Sequence, residues 1–231
     1  MFEISPTEWT AILLSLRVAV IATLVATPFG IALAWLLARR NFWGKSVLDA
    51  LVHLPLVLPP VVTGYLLLLT FGKRGLVGAW LADHLGIVFA FRWTGAALAC
   101  GVMSFPLLVR PIRLSIEAVD RRLEQASSTL GAAPWQVFAT VTLPLALPGV
   151  LAGMVLGFAK AIGEFGATIT FVSNIPGETQ TISSAIYSLI QTPDGDSAAG
   201  RLVIISIVIA MSALIASEWF ARRATQRLHG N

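Results

Sequence analysis

The sequence predicts an all-α integral membrane protein of a single transmembrane domain, 1–231. Three observations carry that prediction. Hydrophobic residues make up 56% of the chain and charged ones 12%, with a mean hydropathy of +0.81, far from the balance of a water-soluble domain. The apolar residues gather into runs long enough to cross a bilayer, which takes about 20 residues. The basic residues, in turn, concentrate in alternate connections between those runs.

Five spans follow: 11–37, 47–71, 93–112, 141–172 and 202–220. The segment before the first has no basic stretch and carries Glu3 and Glu8, unlike a cleavable signal, so the first span is expected to stay. Of the 16 Lys and Arg residues, ten (Arg39, Arg40, Lys45, Arg110, Arg113, Arg121, Arg122, Arg222, Arg223, Arg227) lie at or beyond the ends of spans one, three and five. Lys73, Arg74, Arg92 and Arg201 fall on the other side, with Arg17 near the outer end of span one. Positive charge accumulates on the cytoplasmic face, so the N-terminus is expected outside and the C-terminus inside. The same placement accounts for the pI of about 9.8 without nucleic acid, because no aromatic-basic platform accompanies it. About a dozen residues follow Trp219, so no regulatory module is expected there.

Span two contains Pro55, Pro59 and Pro60. Each proline withholds an N–H and clashes with the preceding turn, so a straight helix is not expected. A broken membrane helix persists where its freed carbonyls meet protein or water. Pro59, Pro60, Thr63 and Gly64 are accordingly candidates for a pathway or gate, a packed kink being the alternative.

Span three holds Cys100, the one cysteine, which excludes disulfides within the chain. The three histidines, His53, His84 and His229, are scattered, so no metal site is expected.

Between spans three and four lies the most polar excursion, 113–140. Ile112, Ile116, Val119, Leu123, Ala126 and Leu130 recur at spacings of four and three, one stripe along a helix. Glu117, Asp120, Arg121, Glu124, Gln125 and Ser128 take the other face. Gly131 suits the end of that helix and Pro134 the first turn of a second. Two short helices meeting at a glycine present either an ordinary surface loop or a knob for a partner on that side.

Span four is long enough to tilt or break. Gly149, Gly153 and Gly157 repeat every four residues, a smooth face for a neighbouring backbone or a hinge. Lys160 and Glu164 share a helix face, and Lys160 lies roughly 25 Å along the helix from Leu143 at 1.5 Å per residue. Ionisable groups at that depth are candidate functional residues, here as a structural ion pair or as a charge that draws an anion inward. Glu164 would repel an anion, and no glycine-rich helix start or arginine cluster builds an oxyanion cage. Selectivity is expected to lie elsewhere.

The excursion resembles the coupling loop of ABC importer permeases, whose pattern runs Glu-Ala-Ala, then Gly, then Ile-x-Leu-Pro. Gln125, Ala126, Ser127, Gly131, Val141, Leu143 and Pro144 stand at the matching spacing, with Gln125, Ser127 and Val141 replacing Glu, Ala and Ile. The segments HLPLVLPPVVTGYLLL and AKAIGEFGATITFVSNIPGETQTI are similar to the permeases of molybdate importers, a resemblance that sulfate and thiosulfate permeases share.

The resemblance implies a type I importer fold and an ATPase-coupling loop containing Glu124, Gln125, Ala126, Gly131, Ala132, Pro134, Leu143 and Pro144. Glu124 is its candidate carboxylate in place of the usual one. Implied partners are a second copy of the chain, two cytoplasmic ABC ATPase subunits and a periplasmic oxyanion-binding protein. That protein would dock on 73–92 and 173–200, with Trp80, Asp83, Glu178, Tyr187 and Asp194. ATP and Mg would belong to the ATPase, since the chain has no P-loop pattern; it is expected to carry no cofactor and no catalytic residue. Molybdate, moved by alternating access, is the substrate the resemblance implies, with sulfate/thiosulfate or tungstate as alternatives. An ion-gradient transporter would need coupling carboxylates and repeated halves. An intramembrane enzyme would need a nucleophile with matched partners, which Ser104 and His53 lack.

Overall fold

The computed structural model describes residues 4–229, the side chains of 217, 218 and 220–229 excepted. Glu3 and the side chains of Arg222, Arg223, Arg227 and His229 therefore lie outside the described residues. Eleven α-helices form among the described residues, in chain order α1 Pro6–Arg39, α2 Lys45–Val57, α3 Pro60–Phe71, α4 Leu76–Leu85, α5 Trp93–Ala118, α6 Arg121–Thr129, α7 Pro134–Val137, α8 Leu143–Ile162, α9 Gly166–Val172, α10 Ile182–Leu189 and α11 Asp196–His229. A π-helical turn, Phe138–Thr142, joins α7 to α8.

Helix α1 starts where its side chains satisfy the orphan backbone donors. The Ser5 hydroxyl accepts the Glu8 N–H at 3.2 Å, the Glu8 carboxylate accepts the Ser5 N–H at 2.6 Å, and Pro6 opens the helix. Glu8 thus belongs to the helix rather than to a leading tail. It is buried and takes an ion pair from Arg201 on α11 at 2.9 Å. Arg17 lies over the Trp93 ring at 3.8 Å, where a desolvated cation is stabilised by the ring face.

Four stretches, Pro6–Arg39, Trp93–Ala118, Pro134–Ile162 and Asp196–Ala216, are long and apolar enough to cross a membrane. The remaining expected span, span two at 47–71, is not one helix. Helices α2 and α3 meet at 115°, because Pro59 and Pro60 in succession remove two donors and Pro59 adopts an extended ψ of 133°. Span four, long enough to tilt or break, is divided: its helix ends at Ile162, and Gly163, Glu164 and Phe165 separate α8 from α9. Span five is the middle of a longer helix that begins at Asp196.

The core sits along α5. Val18, Ala22, Cys100, Met103 and Phe171 join α1, α5 and α9, while Ala34, Leu108, Ile112, Ile116 and Val150 join α1, α5 and α8. Helix α8 lies against α5 through glycines. A Cβ at Gly153 would stand 2.5 Å from the Leu108 carbonyl oxygen, and one at Gly149 would collide with Ser115. Lipid tails are as apolar as leucine, so close backbone approach, rather than hydrophobic burial, holds such helices together. The outward faces carry Leu24, Val25, Phe29, Ile204, Ile207, Val208 and Ile215, all exposed, as a lipid-facing surface requires.

Candidate coupling site and gate

Helix α5 does not continue into the polar excursion. Val119 leaves helical geometry (ψ 124°) and the Asp120 carboxylate accepts the Arg122 N–H at 2.9 Å, capping a new helix. The expected single stripe is therefore divided. Ile112, Ile116 and Val119 are buried, but Leu123 and Leu130 stand exposed, Leu130 at 89%.

Helix α6 ends before Gly131, which takes φ +90° with nothing within 4 Å of where a Cβ would be. The glycine is there for its backbone, since that region is costly for other residues. The Ala132 N–H returns to the Ser127 carbonyl at 3.3 Å. Pro134 then opens α7, and the Gln136 side chain accepts the Ala133 N–H at 2.8 Å. The result is a knob spanning 121–137. Gln125, Ala126, Gly131 and Pro134 are exposed, Ala132 is half-buried, and Leu123, Leu130 and Trp135 add an apolar surface among polar residues.

The return into the bundle passes through the π-helical turn, which sequence reading missed. Pro144 is the only local signal, as it has no N–H to offer the Thr140 carbonyl; the Leu143 N–H reaches Phe138 instead. Leu143 and Pro144 are half-buried and open α8.

Glu124 faces the bundle. Its Oε1 lies 3.0 Å from Arg39 Nη2 and accepts the Arg39 Nε–H at 3.2 Å and the Thr142 hydroxyl at 2.6 Å. Arg39 Nη2 also donates to the Val119 carbonyl at 3.0 Å, the group left free where α5 stops. The Arg39 side chain is 9% exposed and that of Glu124 18%. One turn earlier on α1, the Trp35 ring meets the Phe138 ring edge-on at 6.0 Å. Nothing in the local sequence signals these contacts across 85 and 103 positions.

The gate candidates gather at the far end of α8. Helix α3 packs along α9. A Cβ at Gly64 would stand 2.5 Å from the Ala167 carbonyl oxygen, and one at Gly166 would stand 2.7 Å from Pro60. Thr63 is buried and its hydroxyl has no hydrogen-bond partner among the described residues. Pro59 forms the corner before α3. Glu164, 1% exposed, pairs with Lys160 at 2.7 Å and accepts the Ala167 N–H at 3.0 Å, holding the first turn of α9. Pro60, Gly64, Glu164 and Lys160 thus meet around α9, whereas the coupling candidates lie at the other end of α8.

Asp49 on α2 binds Arg113 of α5 at 2.9 Å and lies 3.5 Å from His53. Cys100 is buried and donates to the Ala161 carbonyl. No group of three metal-ligating side chains occurs among the described residues. Trp80, Asp83, Glu178, Tyr187 and Asp194 are all exposed.

Residues 26–227 match the model of the binding-protein-dependent transport system inner membrane component family. The molybdenum transport system permease protein ModB of Escherichia coli K12 is 63% identical over 95% of this chain and 96% of its own length. The protein of the same name from Haemophilus influenzae is 56% identical over 96% of each. Among solved structures, a bacterial alginate ABC transporter in complex with an alginate pentasaccharide-bound periplasmic protein superposes with a TM-score of 0.75. It covers 96% of this chain and 81% of the other at 19% identity, so it speaks for the fold, that of a type I ABC importer permease. The chain belongs to the family of binding-protein-dependent transport system inner membrane components and is a multi-pass permease of the inner membrane.

Proposed function

We propose that this chain is the permease subunit of an ATP-driven importer for molybdate, paired with a second copy around a two-fold axis. Each copy offers its 121–137 knob to one cytoplasmic ABC ATPase subunit, and a periplasmic oxyanion-binding protein delivers the substrate to the opposite face. The relatives named for molybdenum transport, 63% and 56% identical over nearly the whole chain, support the substrate. The alginate transporter, solved with a periplasmic protein bound, supports the binding protein. The excess of basic residues at or beyond the ends of spans one, three and five supports an outer N-terminus and an inner C-terminus.

The knob carries this reading. An exposed apolar surface of Leu123, Leu130 and Trp135 on a polar excursion has no use in water unless a partner covers it. ATP and Mg belong to that partner; this chain moves rather than reacts. Displacement of the knob passes through the π-helical turn into α8, and the glycine-packed α5 moves with it. At the far end of α8, the Glu164–Lys160 pair and the α3–α9 contact change the opening toward the binding protein. Closure of the ATPase pair opens the outer side, and hydrolysis restores the inward-facing state.

The test is ATPase activity of the permease assembled in lipid with its ATPase and binding protein. Molybdate-loaded binding protein is expected to stimulate hydrolysis over empty binding protein. Gly131→Pro is expected to abolish the stimulation, because proline cannot adopt φ +90°. A permease that binds no ATPase contradicts the proposal.

A further inference from the structure

We propose that Arg39 and Glu124 form a latch that makes the end of α1 part of the coupling machinery, so that α1, α5 and α8 receive the movement of the knob together. The inference rests on the importer reading above.

Four contacts converge on one point. Glu124 is a residue of the knob, yet its Oε1 is shared by Arg39 of α1 and Thr142 of the π-helical turn. Arg39 in turn holds the Val119 carbonyl at the corner where α5 ends. Trp35 on Phe138 adds an apolar contact between α1 and the same turn. Three long helices are thus tied to the first turns of the knob by two side chains.

The local backbone makes this point movable. Val119–Asp120 is a break with no helical continuity, and the π-helical turn is a form used in short pieces, often at functional sites. Without the latch, the knob hangs on two such joints, and motion imposed on it dissipates there. Glu124 and Arg39, being largely buried and hydrogen-bonded, hold both joints in register. Glu124 therefore acts as a positioning residue, and Gln125, exposed beside it, is free for the partner's surface.

A merely structural pair and a coupling latch differ in what they change. Loss of a structural pair lowers the amount of assembled complex and leaves the molybdate moved per ATP hydrolysed as before. Loss of the latch lowers that ratio within complexes that do assemble. The experiment measures assembly, hydrolysis and molybdate uptake in proteoliposomes for wild type, Glu124→Gln, Arg39→Lys and Thr142→Val. Glu124→Gln is expected to retain the ATPase subunits and to lower molybdate per ATP by about fivefold or more, the range of ordinary coupling energies. Arg39→Lys, which keeps the charge but not the fork that reaches Glu124 and the Val119 carbonyl together, is expected to lower the ratio less than Glu124→Gln does. Thr142→Val, which keeps the ion pair, is expected to fall between them and covers the case in which Glu124→Gln does not assemble.

An unchanged ratio in Glu124→Gln, or in Thr142→Val where the former fails to assemble, overturns the latch. Loss of ATPase binding in Glu124→Gln, with Thr142→Val at the wild-type ratio, overturns it too, because Glu124 would then be a direct contact. If wild type itself moves no molybdate with ATP, the importer reading fails and the latch falls with it.

Discussion

Glu164 shows how a single charged residue is carried inside this bundle. It is 1% exposed, paired with Lys160 and bonded to the Ala167 N–H. Glu164→Ala should cost about 2 kcal/mol in thermal unfolding, less than the 3–5 kcal/mol of a fully buried pair because Lys160 keeps some solvent. The joint change Lys160→Met with Glu164→Leu should recover most of that loss, since a well-packed apolar pair often equals an ion pair of similar volume. A double variant as unstable as Glu164→Ala alone would mean that the carboxylate is needed mainly to cap α9. Gly131 is a different case, a residue chosen for its backbone. Gly131→Ala should cost about 1 kcal/mol, because φ +90° suits only glycine while the surrounding space is open.

At the scale of elements, the glycines of α8 make a graded prediction. Gly153→Val places atoms against the Leu108 backbone and should destabilise by about 1–3 kcal/mol, the ordinary cost of overpacking. Gly157→Ala meets only the Leu108 side chain at 3.5 Å and should change stability by less than about 0.5 kcal/mol. Equal effects of the two in thermal unfolding would contradict the α5–α8 packing described here. The spacing of these glycines was readable in the sequence, and so were Gly131 and Pro134, because each acts within one turn of its own position. The α5–α6 break was signalled by Asp120, a good cap, but the stripe from Ile112 to Leu130 runs through it with helical spacing and masked the signal. The prolines of span two announced a break without its angle, which is set by how α3 meets α9. The Arg39–Glu124 contact was not readable, since pairing across 85 positions depends on where α1 and α5 end in space.

For the whole molecule, the two groups of candidate residues occupy opposite ends of α8. From Leu143 to Lys160 the helix rises roughly 25 Å at 1.5 Å per residue, nearly the thickness of the hydrocarbon core. A passage opened at one end by force applied at the other needs a stiff connection between them, and α8 clamped onto α5 supplies it. Under the proposed importer function the chain's contribution is mechanical, with capture of the anion left to the binding protein and ATP to the ATPase. The most direct test is uptake of labelled molybdate into proteoliposomes holding the permease and its ATPase, with binding protein on one side and ATP on the knob side. Uptake is predicted to require both ATP and binding protein and to vanish in Gly131→Pro; uptake that proceeds without ATP would contradict the account and mark the chain as a gradient-driven transporter.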